Sequence, residues 1–377
     1  MKVLIITDFF YPHWTGISKS IHYLTQALKS EFEFCVLTVK YDRDLLDEEQ
    51  VDDVEIVRKS YLFRFSRARY SLSLLFKMLG MVTKYDAVLI NSPCTNVLPV
   101  AIITKIFSKK LLIFHQGDLI LPKGTINWLI ERVFDVMSFV GFSLADKVAT
   151  YTDDYLKNSR ILPFFKKKAH SVLIPLPFFK DHSSKVKETD LTKKLAEIKK
   201  EKILVGFAGR FVEEKGFDIL LEAIDILGKK RDELQFVFAG ATTIDYENFY
   251  EKNKLAIKKV KKSLTFLGLL NDQQLNEFYS ALDLFVVSSR SECFGLVQAE
   301  AVSHRVPVIS SNVPGARDVV KKTNFGLSFE SEDSNDLAII IEQAIDKLVQ
   351  FQKNYLLVKK YFDYEKAKKQ SREFLKG

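Results

Sequence analysis

The chain has 377 residues, of which 47% are hydrophobic and 28% are charged, and its formal net charge is +8. This composition excludes disordered and fibrous proteins and allows two domains of ordinary size. The three cysteines, Cys35, Cys94 and Cys293, are scattered and odd in number, which argues against a disulfide framework or a zinc site and favours a reducing, cytoplasmic location. The longest apolar stretches contain charges and fall short of the roughly 20 residues that a membrane-spanning helix needs.

The first half of the chain alternates strand-like and helical segments. Strands are predicted at residues 3–6, 32–39, 86–90 and 110–116, and helical patterns separate them. This alternation is typical of a doubly wound α/β domain with a parallel sheet. Ligands of such domains bind in the loops at the carboxyl ends of the strands.

Two of these loops carry candidate binding residues. Gly16 immediately precedes a predicted helix, where the missing side chain lets a phosphate approach the backbone N–H groups. The full G-x-G-x-x-G fingerprint is absent, so no nicotinamide or flavin domain is predicted. His115 ends a strand and is followed by Gln116, Gly117 and Asp118, a pattern that fits either a polar contact to substrate or a structural histidine.

A polar, charge-rich stretch at about 177–202 interrupts the alternation and indicates a domain boundary. We therefore predict domains at 1–180 and 181–359, and we expect a C-terminal helix at about 360–377 to pack back on the first domain. Strands and helices alternate again from residue 203. The second domain is thus also predicted to be doubly wound.

The loop GRFVEEKG after the first strand of this domain contains Gly209, Arg210 and Lys215, and a helix is predicted from about residue 217. Arg210 leaves the strand end and Lys215 lies just before the helix. Two cations and the amides of a helix N-terminus together neutralise a diphosphate. Either cation alone would be unremarkable.

A second loop, in the stretch 288–320, places Glu292 after a buried strand and Glu300 in the following helix. The helix N-terminus between them offers backbone donors for phosphate, and the carboxylates suit sugar or ribose hydroxyls. The spacing alone is equally compatible with helix-cap and surface charges. The nearby pair of Arg210 and Lys215 favours a nucleotide-diphosphate ligand.

Two segments, 58–77 and 161–180, interleave lysines and arginines with aromatic residues. Such segments suit an anionic membrane surface, and nucleic acid is the other polyanion that would attract them. Solvated cations that flank core aromatics are an equally good explanation.

The motifs GRFVEEKGFDILLEAI, FAGA, FLGLL, YSALDLFVVSSRSECFGLVQAEAV and VPVISSNVPGARDVV, in this order, resemble family 4 of the retaining, nucleotide-sugar-dependent glycosyltransferases. The resemblance implies the α/β GT-B fold, in which two Rossmann-like, doubly wound domains face a central cleft. The family's E-x7-E motif corresponds to Glu292 and Glu300. The chain departs from the family at Thr15, His304 and Pro314, where the family prefers glycine.

The resemblance also implies roles for individual residues. Arg210 and Lys215 would hold the diphosphate and stabilise the departing nucleotide, Glu292 would face the donor sugar, and Glu300 would bind the ribose. The remaining donor-site and sugar-site residues that it implies are Gly16, Gly209, Phe294, Gly295, Leu296, and His115 with Asp118.

The expected activity is metal-independent, retaining transfer of a hexose-type sugar from a UDP- or GDP-sugar to a glycan or lipid-linked acceptor, in cell-surface polysaccharide or glycolipid synthesis. We expect no cofactor, no nucleic-acid partner, and a cytoplasmic location with peripheral contact to the inner face of the membrane. The sequence Asp42-Arg43-Asp44 mimics a metal-binding D-x-D motif, but its charged loop predicts solvent exposure. A sugar-nucleotide 2-epimerase of the same fold and a non-catalytic nucleotide-sugar-binding protein are the alternatives.

Overall fold

The computed structural model of the chain describes residues 1–65, 68–180 and 189–377. These residues form two compact units, Met1–Pro177 together with Asp363–Gly377, and Phe178–Phe362. Arg67 of the first basic-aromatic segment and residues 181–188 of the predicted boundary lie outside the described residues, as does the side chain of Arg64.

The first unit is an α/β domain whose elements follow one another in the order β1 Lys2–Thr7, α1 Gly16–Leu28, β2 Glu33–Val39, β3 Glu48–Val51, β4 Val54–Lys59, β5 Phe63–Phe65, β6 Ala68–Tyr70, α2 Leu72–Met81, β7 Ala87–Ser92, α3 Val97–Ile106, β8 Lys110–His115, α4 Thr125–Leu144, β9 Lys147–Thr150, α5 Asp153–Asn158 and β10 Ala169–Ser171.

Eight of these strands form one sheet in the order β10-β9-β8-β7-β1-β2-β4-β3. All neighbours are parallel except β3, which runs antiparallel to β4 at the edge. The central strands are buried along nearly their whole length because helices cover both faces of a parallel sheet. The hairpin of β5 and β6 is separate from this sheet. Neither this hairpin nor β4 was predicted from the sequence, because the segment 58–77 was interpreted by its basic-aromatic pattern.

The second unit continues with α6 Asp190–Lys199, β11 Ile203–Ala208, α7 Phe217–Leu227, β12 Leu234–Ala239, α8 Phe249–Lys252, α9 Lys254–Lys259, β13 Leu264–Gly268, α10 Asp272–Ala281, β14 Leu284–Val287, α11 Leu296–Ser303, β15 Val308–Ser311, α12 Ala316–Thr323, β16 Gly326–Phe329, α13 Ser334–Asp346, α14 Leu348–Lys353 and α15 Tyr355–Tyr361. The last helix, α16 Tyr364–Lys376, belongs to the first unit.

The sheet of the second unit has the order β13-β12-β11-β14-β15-β16 and is parallel throughout. The chain leaves β11 toward one edge and returns beside β11 as β14, which is the strand order of a doubly wound nucleotide-binding domain. The described part of the polar stretch that predicted a boundary contains the α-helix α6. This helix forms because Thr189 and Thr192 make a capping box and Leu195 is buried.

Candidate active site

The site of the second unit lies at the point where the strand order of its sheet reverses. β11 and β14 are hydrogen-bonded neighbours there, and the loops that follow them contain the predicted cations and Glu292. Loops at this point diverge to opposite sides of the sheet and leave a crevice at the carboxyl ends of the strands.

Glycine at position 216 brings these two loops into contact. Gly216 has φ +62°, and a Cβ built on it would lie 2.0 Å from the carbonyl oxygen of Ser288. The Ser288 hydroxyl donates to the Gly216 carbonyl at 2.8 Å, and Arg290 donates to both carboxylate oxygens of Asp218 at 2.9 and 2.8 Å. The loop after β14 is therefore bonded directly to the start of α7.

The central contact of the site joins Lys215 and Glu292. Lys215 Nζ donates to Glu292 Oε2 at 2.6 Å, and the Ser289 hydroxyl donates to the same oxygen at 3.3 Å. Both side chains are largely buried. Burial lowers the pKa of Lys215, but the charges of Glu292 and Glu214 and the hydrogen bond to Glu292 outweigh this effect and raise it above its ordinary value. Lys215 is therefore a positive charge at neutral pH.

Arg210 lies in the same electrostatic field. Its guanidinium donates to the Tyr246 hydroxyl and stands 5.8 Å from the centre of the Tyr246 ring. Both side chains are cations, and the positive charge of Arg210 lowers the pKa of Lys215 slightly. Gly209, which precedes it at φ +150°, has no atom within 4 Å of a Cβ position.

The amino end of α11 lies beside Glu292. Gly295 caps this helix with φ +76°, and a Cβ there would be 3.2 Å from Glu292 Cγ. The Phe294 ring is buried, and Leu296 is the first helical residue. The first amides of a helix have no acceptor within it and carry its positive dipole end, so the helix presents donors next to the Lys215–Glu292 pair.

Glu300 has a different partner. The buried hydroxyl of Tyr279 donates to Glu300 Oε2 at 2.8 Å. His304, which stands where the resembling family prefers glycine, stacks on Tyr279 with ring centres 5.6 Å apart, and its Nδ1 is 2.9 Å from the Glu300 carbonyl oxygen. His304 thus adds packing around the Tyr279 ring that a glycine at this position would not provide.

In the first unit, the strand order reverses between β1 and β7. Asp8 follows β1 and accepts hydrogen bonds from the Thr95 amide at 2.8 Å and the Thr95 hydroxyl at 2.5 Å. Burial raises the pKa of Asp8 above its ordinary value, although these hydrogen bonds oppose the shift. The sequence interpretation did not single out Asp8, and its position directly after an apolar strand was the available signal.

Gly16 begins α1, and Thr15 caps this helix through a capping box with Ser18. A Cβ on Gly16 would meet nothing within 4 Å, so packing within the chain does not require glycine there. The Gln116 amide donates to the Ile17 carbonyl at 3.2 Å. This bond joins the start of α1 to the loop after β8.

His115 and Asp118 form a buried hydrogen-bonded pair at the end of β8. His115 Nε2 and Asp118 Oδ1 are 3.2 Å apart, His115 Nδ1 and the Ser92 hydroxyl are 3.1 Å apart, and the Arg160 amide donates to Asp118 Oδ2 at 2.9 Å. Burial raises the pKa of Asp118, but the hydrogen bond and charge of His115 and the amide and charge of Arg160 outweigh it, so the pKa lies below its ordinary value.

The first basic-aromatic segment supplies fewer surface cations than its sequence indicates. Arg58 is 1% exposed and donates to Glu49 and to the Tyr11 carbonyl oxygen. Arg69 is 5% exposed, and its guanidinium lies 4.8 Å from the centre of the Tyr41 ring. For these two residues both explanations, a membrane-facing surface and solvated cations, are wrong, because aromatic rings and a carboxylate hold them inside the fold.

The D-x-D sequence is exposed at all three positions, as predicted. Among the described residues, no three His, Cys, Asp or Glu side chains are grouped so as to hold a metal ion. Every described helix is too short or too polar to cross a bilayer.

The structure therefore brings Lys215, Glu292 and the start of α11 together, with Arg210 close enough to affect the charge of Lys215. Sequence reasoning missed the supporting residues. Asp8, Ser92 and Ser289 lie at or just after strand ends and so carried a local signal, whereas the positions of the others depend on long-range contacts. The other missed residues are Tyr246, Tyr279, Arg290 and Arg160.

The chain has two doubly wound, Rossmann-like α/β units. In one of them, cations and a helix amino end lie at the switch point, where the strand order of the sheet reverses. This architecture is that of the GT-B class and confirms the predicted fold class. A crystal structure of Anabaena HepE in complex with UDP matches the chain with a TM-score of 0.77 at 17% identity, covering 100% of both chains.

Residues 188–370 match the family model of the glycosyl transferases group 1. The chain is 23% identical over 367 residues to the alpha-monoglucosyldiacylglycerol synthase of Streptococcus pneumoniae (92% of this chain, 78% of the relative). It is 27% identical over 156 residues to the capsular polysaccharide biosynthesis glycosyltransferase CapM of Staphylococcus aureus (41% of this chain, 40% of the relative, thus less than half of its length). The chain is thus similar to glycosyl transferases group 1 over residues 188–370, and its fold is similar to that of HepE over its whole length.

Proposed function

We propose that the chain is a family 4 retaining glycosyltransferase that moves a hexose-type sugar from a UDP- or GDP-sugar to a glycan or lipid-linked acceptor. The observation that carries the proposal is the 2.6 Å contact between Lys215 Nζ and Glu292 Oε2 at the switch point of the second unit. The contact joins a cation suited to a diphosphate and a carboxylate suited to sugar hydroxyls.

The cationic half of the site stabilises the leaving group. As the bond between the sugar and the diphosphate breaks, negative charge grows on the phosphate oxygens. Arg210, Lys215 and the amides at the start of α11 are donors fixed in place before that charge develops, which is the condition for electrostatic stabilisation of a transition state. Phosphate oxygens favour the charged ammonium of Lys215, as Glu292 does in the structure, where it raises the pKa of Lys215.

The two glutamates bind different parts of the donor. Glu292 accepts hydrogen bonds from the hydroxyls of the sugar once phosphate takes over the Lys215 ammonium. Glu300 accepts from the ribose hydroxyls, and the 2.8 Å bond from Tyr279 orients its carboxylate. The UDP named in the HepE structure supports a uridine donor, and GDP is the other candidate.

The proposed reaction proceeds with retention and without a metal ion. The bond between the anomeric carbon and the phosphate oxygen breaks, a bond to the acceptor oxygen forms on the same face, and the acceptor proton passes to the departing phosphate. His115 and Asp118, buried and bonded to Ser92 and Arg160, hold the loop after β8 in shape. Such support fixes the geometry of a loop before a ligand binds to it.

The acceptor is a glycan or a lipid-linked molecule of the cell surface, and the protein works in the cytoplasm against the inner face of the membrane. The names of the capsular and glucosyldiacylglycerol relatives support both acceptor classes.

A panel of UDP- and GDP-sugars tests the proposal by calorimetry and by release of nucleoside diphosphate. One donor should bind and be hydrolysed slowly, and added lipid-linked or oligosaccharide acceptor should accelerate the release. The double variant Arg210→Ala, Lys215→Ala should weaken binding of the free nucleoside diphosphate about 100-fold, since two charge-assisted contacts are lost. Unchanged affinity in that variant contradicts the diphosphate role, and donor inversion without transfer identifies a 2-epimerase instead.

A further inference from the structure

Helix α4 exposes a continuous apolar stripe to solvent. Five residues at spacings of three and four in turn lie on one side of this 20-residue helix and are between 40% and 72% exposed. An apolar patch that exposes five large side chains on one face of a helix marks an interaction surface. The residues of this α4 face are Ile126, Leu129, Val133, Val136 and Val140.

The opposite side of α4 attaches the helix to its unit. Ser138, Gly141 and Phe142 are buried, and a Cβ on Gly141 would lie 3.1 Å from a methyl of Val97 in α3. This anchored helix is about 30 Å long at 1.5 Å per residue, but it cannot leave the domain to insert across a bilayer.

The charged residues of α4 are occupied by ion pairs. Arg160 bonds to Glu131 at 3.4 Å and to Asp135 at 2.9 Å, and Arg132 approaches Asp135 at 3.1 Å. The side chains of Glu131 and Asp135 are 13% and 14% exposed. No carboxylate of this helix is therefore displayed beside the apolar stripe.

Aromatic and basic residues surround the α4 face. Trp128 and Phe164 are 60% and 71% exposed, and the Phe164 ring lies 5.6 Å from that of Phe139. Lys166 and Lys167, shortly after Phe164, and Lys123, before the helix, are also exposed. Tryptophan and lysine at the edge of an apolar helical face are typical of helices that lie in the membrane interface.

We infer that the α4 face rests in the interfacial layer of an anionic membrane, with Trp128 and Phe164 at the level of the headgroups. The lysines match the negative surface potential of such a membrane. They also disfavour a second copy of the chain as the occupant. An antiparallel, two-fold pairing of α4 would bring Lys123 of one copy toward Lys166 and Lys167 of the other.

This surface overlaps only in part with the one that the sequence predicted, because Phe164, Lys166 and Lys167 belong to the segment 161–180. Arg58 and Arg69 of the first basic-aromatic segment are buried, whereas α4 lies outside both predicted segments. The inference rests on the proposed function, because a lipid-linked acceptor gives the membrane contact its purpose.

Vesicle co-sedimentation at about 0.1 M salt tests the inference with the full chain and with phosphatidylcholine vesicles that contain phosphatidylglycerol. The variant Leu129→Glu with Val136→Glu should partition at least about tenfold more weakly than the wild type, because two carboxylates replace two inserted aliphatic groups. The matched control, Leu255→Glu with Leu356→Glu, changes two residues of the second unit that are 79% and 75% exposed and should bind like the wild type. Circular dichroism verifies the fold of both variants.

A second readout locates the contact. Brominated lipids should quench tryptophan fluorescence in the wild type, and Trp128→Phe should remove most of that quenching. Equal vesicle binding by the wild type and the Leu129→Glu, Val136→Glu variant overturns the inference. The inference is also overturned if the wild type does not bind vesicles and instead forms a dimer that the double substitution disrupts. Donor hydrolysis without vesicles tests the proposed function separately, so that a failure of one is distinguished from a failure of the other.

Discussion

Lys215 Nζ lies 2.6 Å from Glu292 Oε2, and this ion pair joins the loop after β11 to the loop after β14. A bound diphosphate and Glu292 would compete for the same ammonium group. If Glu292 binds the sugar as proposed, it would oppose phosphate binding and support turnover, so the two should respond to its loss in opposite directions.

We predict that Glu292→Gln lowers kcat about 100-fold or more while the free nucleoside diphosphate binds as tightly as before or up to about tenfold more tightly. The reason is that Lys215 loses its internal partner but keeps its access to phosphate. Calorimetry and a turnover assay on the same preparation measure both effects. Glu251→Gln, which removes an exposed partner of Lys254, is the control and should change neither quantity. Wild-type turnover in Glu292→Gln would contradict the proposed role.

The ribose role of Glu300 predicts a dependence on the ligand's hydroxyls. Glu300→Gln should weaken binding of UDP or GDP about tenfold, because a hydrogen bond to a charged acceptor is lost. It should leave the binding of the corresponding 2′,3′-dideoxynucleotide unchanged. Tyr279→Phe removes only the 2.8 Å bond that orients Glu300 and should have a smaller effect of the same kind. Equal losses for both ligands would indicate that Glu300 acts through the structure of α11.

The alternation of strands and helices predicted both sheets because apolar, buried strands are visible in sequence. Arg210, Lys215 and Glu292 were identified as candidates for a related reason, since they lie in the loops that follow two of these strands. The side chains that orient them were not predicted, because Tyr246 and Tyr279 are identified only by contacts across the fold.

Surface and core were harder to separate for aromatic and basic residues. The pattern of 58–77 did not indicate that Arg58 is buried against Glu49, because the burial of an arginine depends on its partner in the fold and not on its neighbours in sequence. Likewise, the stretch that became α4 was recognised only as too short and too charged to cross a membrane. Its two carboxylates, Glu131 and Asp135, are paired with Arg160, and its apolar stripe faces solvent.

Gly216 is predicted to be essential for joining the two loops of the second unit. Gly216→Ala adds a Cβ 2.0 Å from the Ser288 carbonyl oxygen at a positive φ, so we expect a loss of stability of about 2–4 kcal/mol and a loss of donor binding. Gly80→Ala is the matched control. It lies within α2 with nothing near its Cβ position and should stabilise the protein by about 0.5–1 kcal/mol. Urea unfolding measures both changes, and a neutral Gly216→Ala would show that the loops can separate.

The buried pair of His115 and Asp118 predicts a pH dependence of stability. The folded pKa of Asp118 lies below its ordinary value, so its contribution is fully present above the unfolded pKa of about 3.9 and is lost as the pH falls through the lower, folded pKa. Asp118→Asn should therefore reduce the free energy of unfolding by about 1–3 kcal/mol at pH 7, and by less as the pH falls below about 4. Ser171→Ala, which removes a bond to the exposed Asp153, should change stability little at either pH. Urea unfolding between pH 3 and 7 measures the difference, and a constant effect of Asp118→Asn over that range would mean that the carboxylate's charge contributes nothing.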